Sequence, residues 1–197
     1  MTPKFKNGLV QVYTGSGKGK TTAALGLALR AIGHDFKVCF IQLMKGSSYS
    51  GELFSVQRLK PYIDFYQFGR GCPYSSMIRS GYMECQGCGE CFYSEDKKEE
   101  FKEYAEQAFE LARKVLTGDE YQLVVLDEIS IALKYELLTV SRVLKLIAEK
   151  SSGIELVLTG RDMPVEIRNK ANLVSEIKAE KHPYKNEGIA SRRGIEY

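Results

Sequence analysis

Eight residues, Gly15-Ser16-Gly17-Lys18-Gly19-Lys20-Thr21-Thr22, combine three glycines, two lysines and two threonine hydroxyls in a mixture suited to gripping phosphate. The glycines let backbone N–H groups turn inward on an anion, Lys20 brings a mobile positive charge, and the Thr21 hydroxyl can join a magnesium shell. The usual G-x-x-x-x-G-K-[ST] pattern would put its first glycine at position 14, which is Thr14 here; the glycine comes at Gly15, and Lys18 is an added cation. A second constellation closes the apolar run Leu123-Val124-Val125-Leu126, where Asp127 and Glu128 can join Thr21 in holding Mg2+, directly or through water. Arg161, just after Thr159-Gly160, offers a guanidinium clamp for phosphate oxygens. Lys20, Glu128 and Arg161 are therefore the candidate catalytic residues, and Gly15, Ser16, Gly17, Lys18, Gly19, Lys20, Thr21, Thr22 and Arg161 the candidate ligand-binding set.

The third constellation is Cys85-Gln86-Gly87-Cys88-Gly89-Glu90-Cys91. Thiolates at steps of three can converge on one metal, and Cys72-Pro73 can supply a fourth ligand. The spacing is closer to iron-sulfur ligation than to the paired Cys-x2-Cys units of structural zinc, although Cys72 precedes the triplet here. Iron-sulfur cluster, zinc and free thiols all stay open on this pattern. Cys39, inside the apolar run Lys37 to Leu43, reads as a packing residue.

These residues need a scaffold that delivers them to one place. Leu9 to Tyr13 reads as a strand leading into the glycine loop, and Ala23 to Arg30 continues as a helix over Thr21 to Ile32, with Gly33 as its C-cap. Further apolar runs predict strands at Lys37–Leu43, Ile63–Phe68, Tyr121–Glu128, Ile154–Thr159 and Leu173–Ile177. Helices are expected at 51–59, from the N-cap Ser94 to Leu116, at Leu138–Glu149 and at 165–171. The segment from Gly69 to Tyr93 has no periodicity and reads as a long functional loop. Strands alternating with helices predict an α/β fold: a doubly wound, mostly parallel sheet resembling P-loop NTPases, with helices on both faces. In a sheet of this kind ligands bind outside the carboxyl ends of the strands, which is where the glycine loop, Asp127, Glu128 and Arg161 all fall.

A chain of 197 residues, 44% of them hydrophobic, is expected to form one domain over 1–197 with 69–93 as a cysteine-rich insertion. Its formal charge of +3, without a basic tract, argues against nucleic-acid and membrane-surface partners. The N-terminus has no apolar leader segment, and no apolar run approaches the roughly 20 residues of a membrane span. The expectation is a cytoplasmic protein whose cysteines are thiols or metal ligands in preference to disulfides.

Thr14 to Ala24, Arg30-Ala31-Ile32-Gly33 and Gln42-Leu43-Met44-Lys45-Gly46 together resemble the start of the ATP:corrinoid adenosyltransferases of the CobA/BtuR type. The resemblance continues through Val124 to Glu128, Leu158 to Arg161, Val174-Ser175-Glu176, Lys181-His182 and the ending Gly194-Ile195-Glu196-Tyr197. It implies transfer of the 5′-deoxyadenosyl group of ATP to the Co(I) of a corrinoid, in adenosylcobalamin synthesis or salvage. Co(I) attacks C5′ and triphosphate leaves, stabilised by the loop amides, Lys18, Lys20, Mg2+ and Arg161. The family is understood to hold ATP reversed relative to P-loop hydrolases. The resemblance also implies a homodimer and an electron donor for Co(I).

The middle of the chain departs from the family, which often places Phe and Trp two residues apart after the third strand to help shed the lower cobalt ligand. Cys72 and Tyr74 stand at the corresponding positions here. The expectation is that a metal-bound Gly69–Tyr93 loop forms the corrinoid lid and passes the electron that makes Co(I). Two rival readings are a nucleoside kinase of the thymidine kinase type with a four-cysteine zinc site, and a non-catalytic ATP-gated carrier of a metal cluster. The displaced glycine at Thr14 and the terminal match favour neither.

Overall fold

Strands covered on both faces need apolar residues at every position, and this chain supplies them. A computed structural model describes residues 5–46 and 49–197. β1 (Val10–Thr14), β2 (Val38–Leu43), β3 (Ile63–Phe68), β4 (Leu123–Asp127), β5 (Glu155–Thr159) and β6 (Leu173–Glu176) form one six-stranded sheet in the order β3-β2-β4-β5-β1-β6. All neighbours pair in parallel. β2, β4 and β5 are buried along their whole length. β6 is an exposed edge.

Alternation along the strands divides the core in two. Val38, Phe40, Leu123, Val125 and Val157 face α1 (Lys20–Ile32), whose contact face is built from Ala24, Ala28 and Ala31, and α2 (Gly51–Gln57) through Val56. Those small alanines let α1 lie close on the sheet, which sets the depth of the glycine loop that precedes it. The opposite parity, Cys39, Ile41, Val124, Leu126, Leu156 and Leu158, faces α4 (Lys98–Thr117), α5 (Ile129–Lys134), α6 (Val140–Glu149) and α7 (Val165–Lys170). Cys39 is fully buried there, and burial pushes its thiol up to about 12, which agrees with a packing role.

Local differences from the sequence reading have simple causes. Three of the four helices of five or six residues, α3 (Ser75–Ser80), α5 and α8 (Pro183–Glu187), are absent from the expected set because so short a stretch shows little period. Ser94 precedes a 3-10 turn at Glu95–Lys97, and its side chain does not cap; α4 begins only at Lys98. Gly33 does end α1, but in a right-handed conformation. Thr139 caps α6 by accepting the N–H of Arg142 at 3.4 Å.

Gly160 ends β5 at φ +141°, and a Cβ there would lie 2.0 Å from the Ser130 hydroxyl oxygen on α5. Gly160→Ala is expected to cost about 1–3 kcal/mol and to lower Tm by roughly 2–10 °C. Thermal melts of the two proteins check this, and an unchanged Tm would contradict the packing.

Candidate active site

The carboxyl ends of the four central strands form one shelf, because the register sets Gln42 beside Asp127, Leu126 beside Leu158 and Tyr13 beside Thr159. Each chain leaves that shelf through a positive φ: Gly15 (103°), Met44 (62°), Glu128 (60°) and Gly160 (141°). For Met44 and Glu128 this conformation is strained, and such strain persists only where surrounding contacts enforce it. At Glu128 the contact is visible: its N–H donates to Thr159 Oγ1 at 3.0 Å.

Asp127 is fully buried and satisfied from three sides. Thr21 Oγ1 donates to its two oxygens at 3.0 and 3.1 Å, Thr159 Oγ1 at 2.6 Å and Gln42 Nε2 at 3.0 Å. Gln42 in turn accepts from Gln67 Nε2 at 2.7 Å. Gln42 is missing from the candidates read off the sequence; its one signal is a buried amide in the apolar run Val-Cys-Phe-Ile-Gln-Leu. Asp127 therefore acts as a brace behind Thr21, while Glu128 faces the cleft.

Within the loop, Lys20 is buried and its Nζ donates to the carbonyls of Gly15 at 2.9 Å and Gly17 at 2.7 Å. Burial lowers its pKa, opposed by the Glu128 carboxylate. The glycines serve different needs. A Cβ on Gly15 or Gly17 would come within 2.4 or 2.8 Å of the Ile177 carbonyl, so these two admit the chain leaving β6, and the Gly17 N–H is already bonded to that carbonyl. Gly19, at φ +108° with open space around it, is the position that turns the backbone. Thr14 Oγ1 accepts the N–H of Met163 at 3.2 Å, which ties the loop to the segment carrying Arg161.

A cleft of about 680 Å³ opens above the shelf, lined from the loop by Gly17, Lys18, Gly19, Lys20, Thr21 and Thr22, and across it by Glu128, Arg161 and Lys45. Gly15 and Ser16, expected in the ligand-binding set, lie outside this lining. Gly51, Glu52 and Ser55 of α2 line one side, and another wall comes from far along the chain: Gly194, Ile195, Glu196 and Tyr197. This terminal hook is held by Glu196, which pairs with Lys18 at 3.3 Å and accepts from the Arg192 N–H at 2.8 Å. Arg192 first and Lys18 after it hold the Glu196 carboxyl down to about 2. The Gly194 N–H donates to the Tyr197 carbonyl at 2.7 Å, curling the end back on itself. In the sequence this ending is a signature without a place; its place is the cleft wall.

Residues 6–197 match the family model described as ATP:corrinoid adenosyltransferase BtuR/CobO/CobP. The chain belongs to this family. Proteins named corrinoid adenosyltransferase from Sinorhizobium sp. and Pseudomonas aeruginosa are 31% and 30% identical to it, over 100% and 98% of this chain and 83% and 85% of their own. The Escherichia coli K12 protein of the same name is 29% identical over 98% of this chain and 87% of its own. A solved KaiC-like protein from Pyrococcus horikoshii OT3 gives a TM-score of 0.49 at 18% identity, covering 90% of this chain and 76% of its own. Membership of the ATP:corrinoid adenosyltransferase family makes the chain an enzyme of the transferase class.

The cysteine segment of this adenosyltransferase borders the cleft without lining it. Its ends are fixed: Gly69 packs under the Lys45 backbone, Arg70 pairs with Glu100 at 3.1 Å, and Tyr93 stacks on Tyr135 at 4.0 Å. Cys72 is buried, Cys85 and Cys91 half-buried and Cys88 exposed. Among the described residues no group of three or more His, Cys, Asp and Glu side chains is arranged to hold a metal ion. Cys72, Cys85, Cys88 and Cys91 stand at different depths, and at the strand ends the Asp127 oxygens accept from Thr21, Gln42 and Thr159. Among the described residues no helix is long and apolar enough to cross a membrane.

Burial first, and the Asp127 charge second, raise the Glu128 carboxyl above its ordinary value, against Lys45, Lys20 and Arg161. A raised native pKa means that the folded protein binds the proton more tightly than the unfolded chain. Glu128 thus supports the fold at low pH, and that support is lost as pH rises through its native value. Glu128→Gln is expected to raise Tm at pH 7 and to lose this gain toward pH 4. Melts of both proteins across that range check the sign, and a lower Tm at pH 7 would contradict it.

Proposed function

We propose that this adenosyltransferase transfers the 5′-deoxyadenosyl group of ATP to the Co(I) of a corrinoid, releasing inorganic triphosphate. The observation that carries the reading is the convergence of Lys18, Lys20, Thr21, Arg161 and Glu128 on one cleft in a member of this family. The bond that breaks, between C5′ and the triphosphate oxygen, leaves negative charge on the triphosphate. Catalysis then means stabilising that charge with preorganised cations and amides. Lys20 would exchange the Gly15 and Gly17 carbonyls for phosphate oxygens, Lys18 would exchange Glu196, and Arg161 would close from the opposite wall.

The oxygen donors of Thr21 and Glu128, with Asp127 behind them, suit Mg2+, a hard cation that is bound through few protein ligands and substrate phosphates. Magnesium there would neutralise triphosphate charge. The corrinoid would sit over the open side of the cleft with the Gly69–Tyr93 segment as its lid. Tyr74, Tyr82 and Phe92 are exposed aromatic groups on that segment, whereas Cys72 is buried. The reading further takes the protein to be a cytoplasmic homodimer supplied with electrons by a separate reductant.

The test is incubation with ATP, Mg2+ and chemically reduced cobalamin. Adenosylcobalamin and triphosphate are expected in equal amounts, and Arg161→Ala is expected to lower kcat by about 10²–10³. Release of ADP, or of a phosphorylated nucleoside, would overturn the reading.

A further inference from the structure

Nothing in the proposed reaction uses Cys72, Cys85, Cys88 or Cys91, yet the chain brings all four into one short segment beside the cleft. They are free thiols. Between them lie Gly87 at φ +64° and Gly89 at φ +81°, each with nothing within 4 Å of where a Cβ would stand. These are the left-handed turns by which a backbone curls three successive thiols around one point. Residues 84–89 take no regular secondary structure, while the segment's ends are fixed on β2, α4 and α5. The tip can therefore draw in around an ion at little cost in structure, with both ends staying in place. A second observation points the same way: the Tyr49 hydroxyl donates to Cys85 Sγ at 3.7 Å, a bond that strengthens when the sulfur is a thiolate.

We propose that Cys72, Cys85, Cys88 and Cys91 bind one thiophilic metal centre, a zinc ion or an iron-sulfur cluster, that braces the terminal hook against the cleft. The brace runs through Tyr49, whose ring meets Tyr197 edge-on at 5.3 Å, and through Arg193, which donates to the Arg79 carbonyl of the same segment at 3.1 Å. Binding draws four dispersed thiols into one tetrathiolate and releases their protons. Thiolate donors select zinc or iron-sulfur over magnesium and calcium.

The experiment is elemental and acid-labile sulfide analysis of the full chain purified without oxygen, with Cys39→Ser as control. About one zinc, or iron with matching sulfide, is expected per chain in the wild type and in Cys39→Ser. Cys72→Ser, Cys85→Ser and Cys91→Ser are each expected to hold at least tenfold less. Sulfide with iron identifies a cluster, and zinc without sulfide identifies a structural ion. Should the variants fail to fold, Co2+ titration of the wild-type chain replaces them, a thiolate-to-cobalt absorption band supporting the site and its absence overturning it. Metal-free protein after reconstitution with zinc and with iron plus sulfide, or metal content unchanged in Cys85→Ser and Cys91→Ser, overturns the proposal. Carboxypeptidase release of Tyr197 should be at least tenfold faster once the metal is removed, and an unchanged rate would overturn the bracing.

Discussion

A carboxylate with no solvent exposure is tolerable only if the protein surrounds it with donors, and Asp127 is such a carboxylate. Its donors come from α1, β2 and β5, so satisfying one side chain fixes three elements against β4. Removing any donor would leave a buried charge partly unpaired, which is far costlier than the bond itself is worth. The position of Thr21, and with it the first turn of α1, follows from this requirement. The depth of α1 is set separately by the alanine face below it, so the glycine loop is held from two directions.

With Asp127 consumed in this way, the neighbouring Glu128 is free for the cleft. The left-handed backbone at Glu128 is what turns its side chain away from the sheet, and the Thr159 hydroxyl that bonds Asp127 also accepts the Glu128 N–H. One threonine therefore secures both the brace and the kink. Thr14 does comparable work from β1, since its hydroxyl takes the Met163 N–H and so couples the loop to the Arg161 segment. A glycine at that position, as in the common phosphate-loop pattern, would break that link. The shift of the first glycine to Gly15 is thus explained by packing at the strand ends as well as by ligand geometry.

Much of this was legible in the residues because apolar runs mark buried parallel strands, and a glycine loop between strand and helix marks its own position. The strand ends that carry Asp127, Glu128 and Arg161 followed from the same runs. What could not be read depends on register between distant strands: Gln42 reaches Asp127 only because β2 pairs with β4 in one particular alignment. Three of the four helices of six residues or fewer, α3, α5 and α8, carry no period that marks them in the residues. Cysteine spacing showed that four thiols share a segment; it could not show that they stand at different depths.

The terminal hook completes the electrostatics of the loop. Lys18, the added cation of the loop, is half-exposed, and an exposed lysine on a flexible stem is a poorly aimed charge. Glu196 gives it a fixed partner, and because Arg192 shares that carboxylate, the hook keeps an anchor when Lys18 turns toward another anion. A polyphosphate entering the cleft would therefore compete with Glu196 for one lysine without the wall coming apart. That arrangement needs the acid to be ionised at every working pH, which the neighbouring guanidinium and ammonium secure. The last four residues of the chain are thus part of the loop's electrostatics, although they lie about as far from it in sequence as the chain allows.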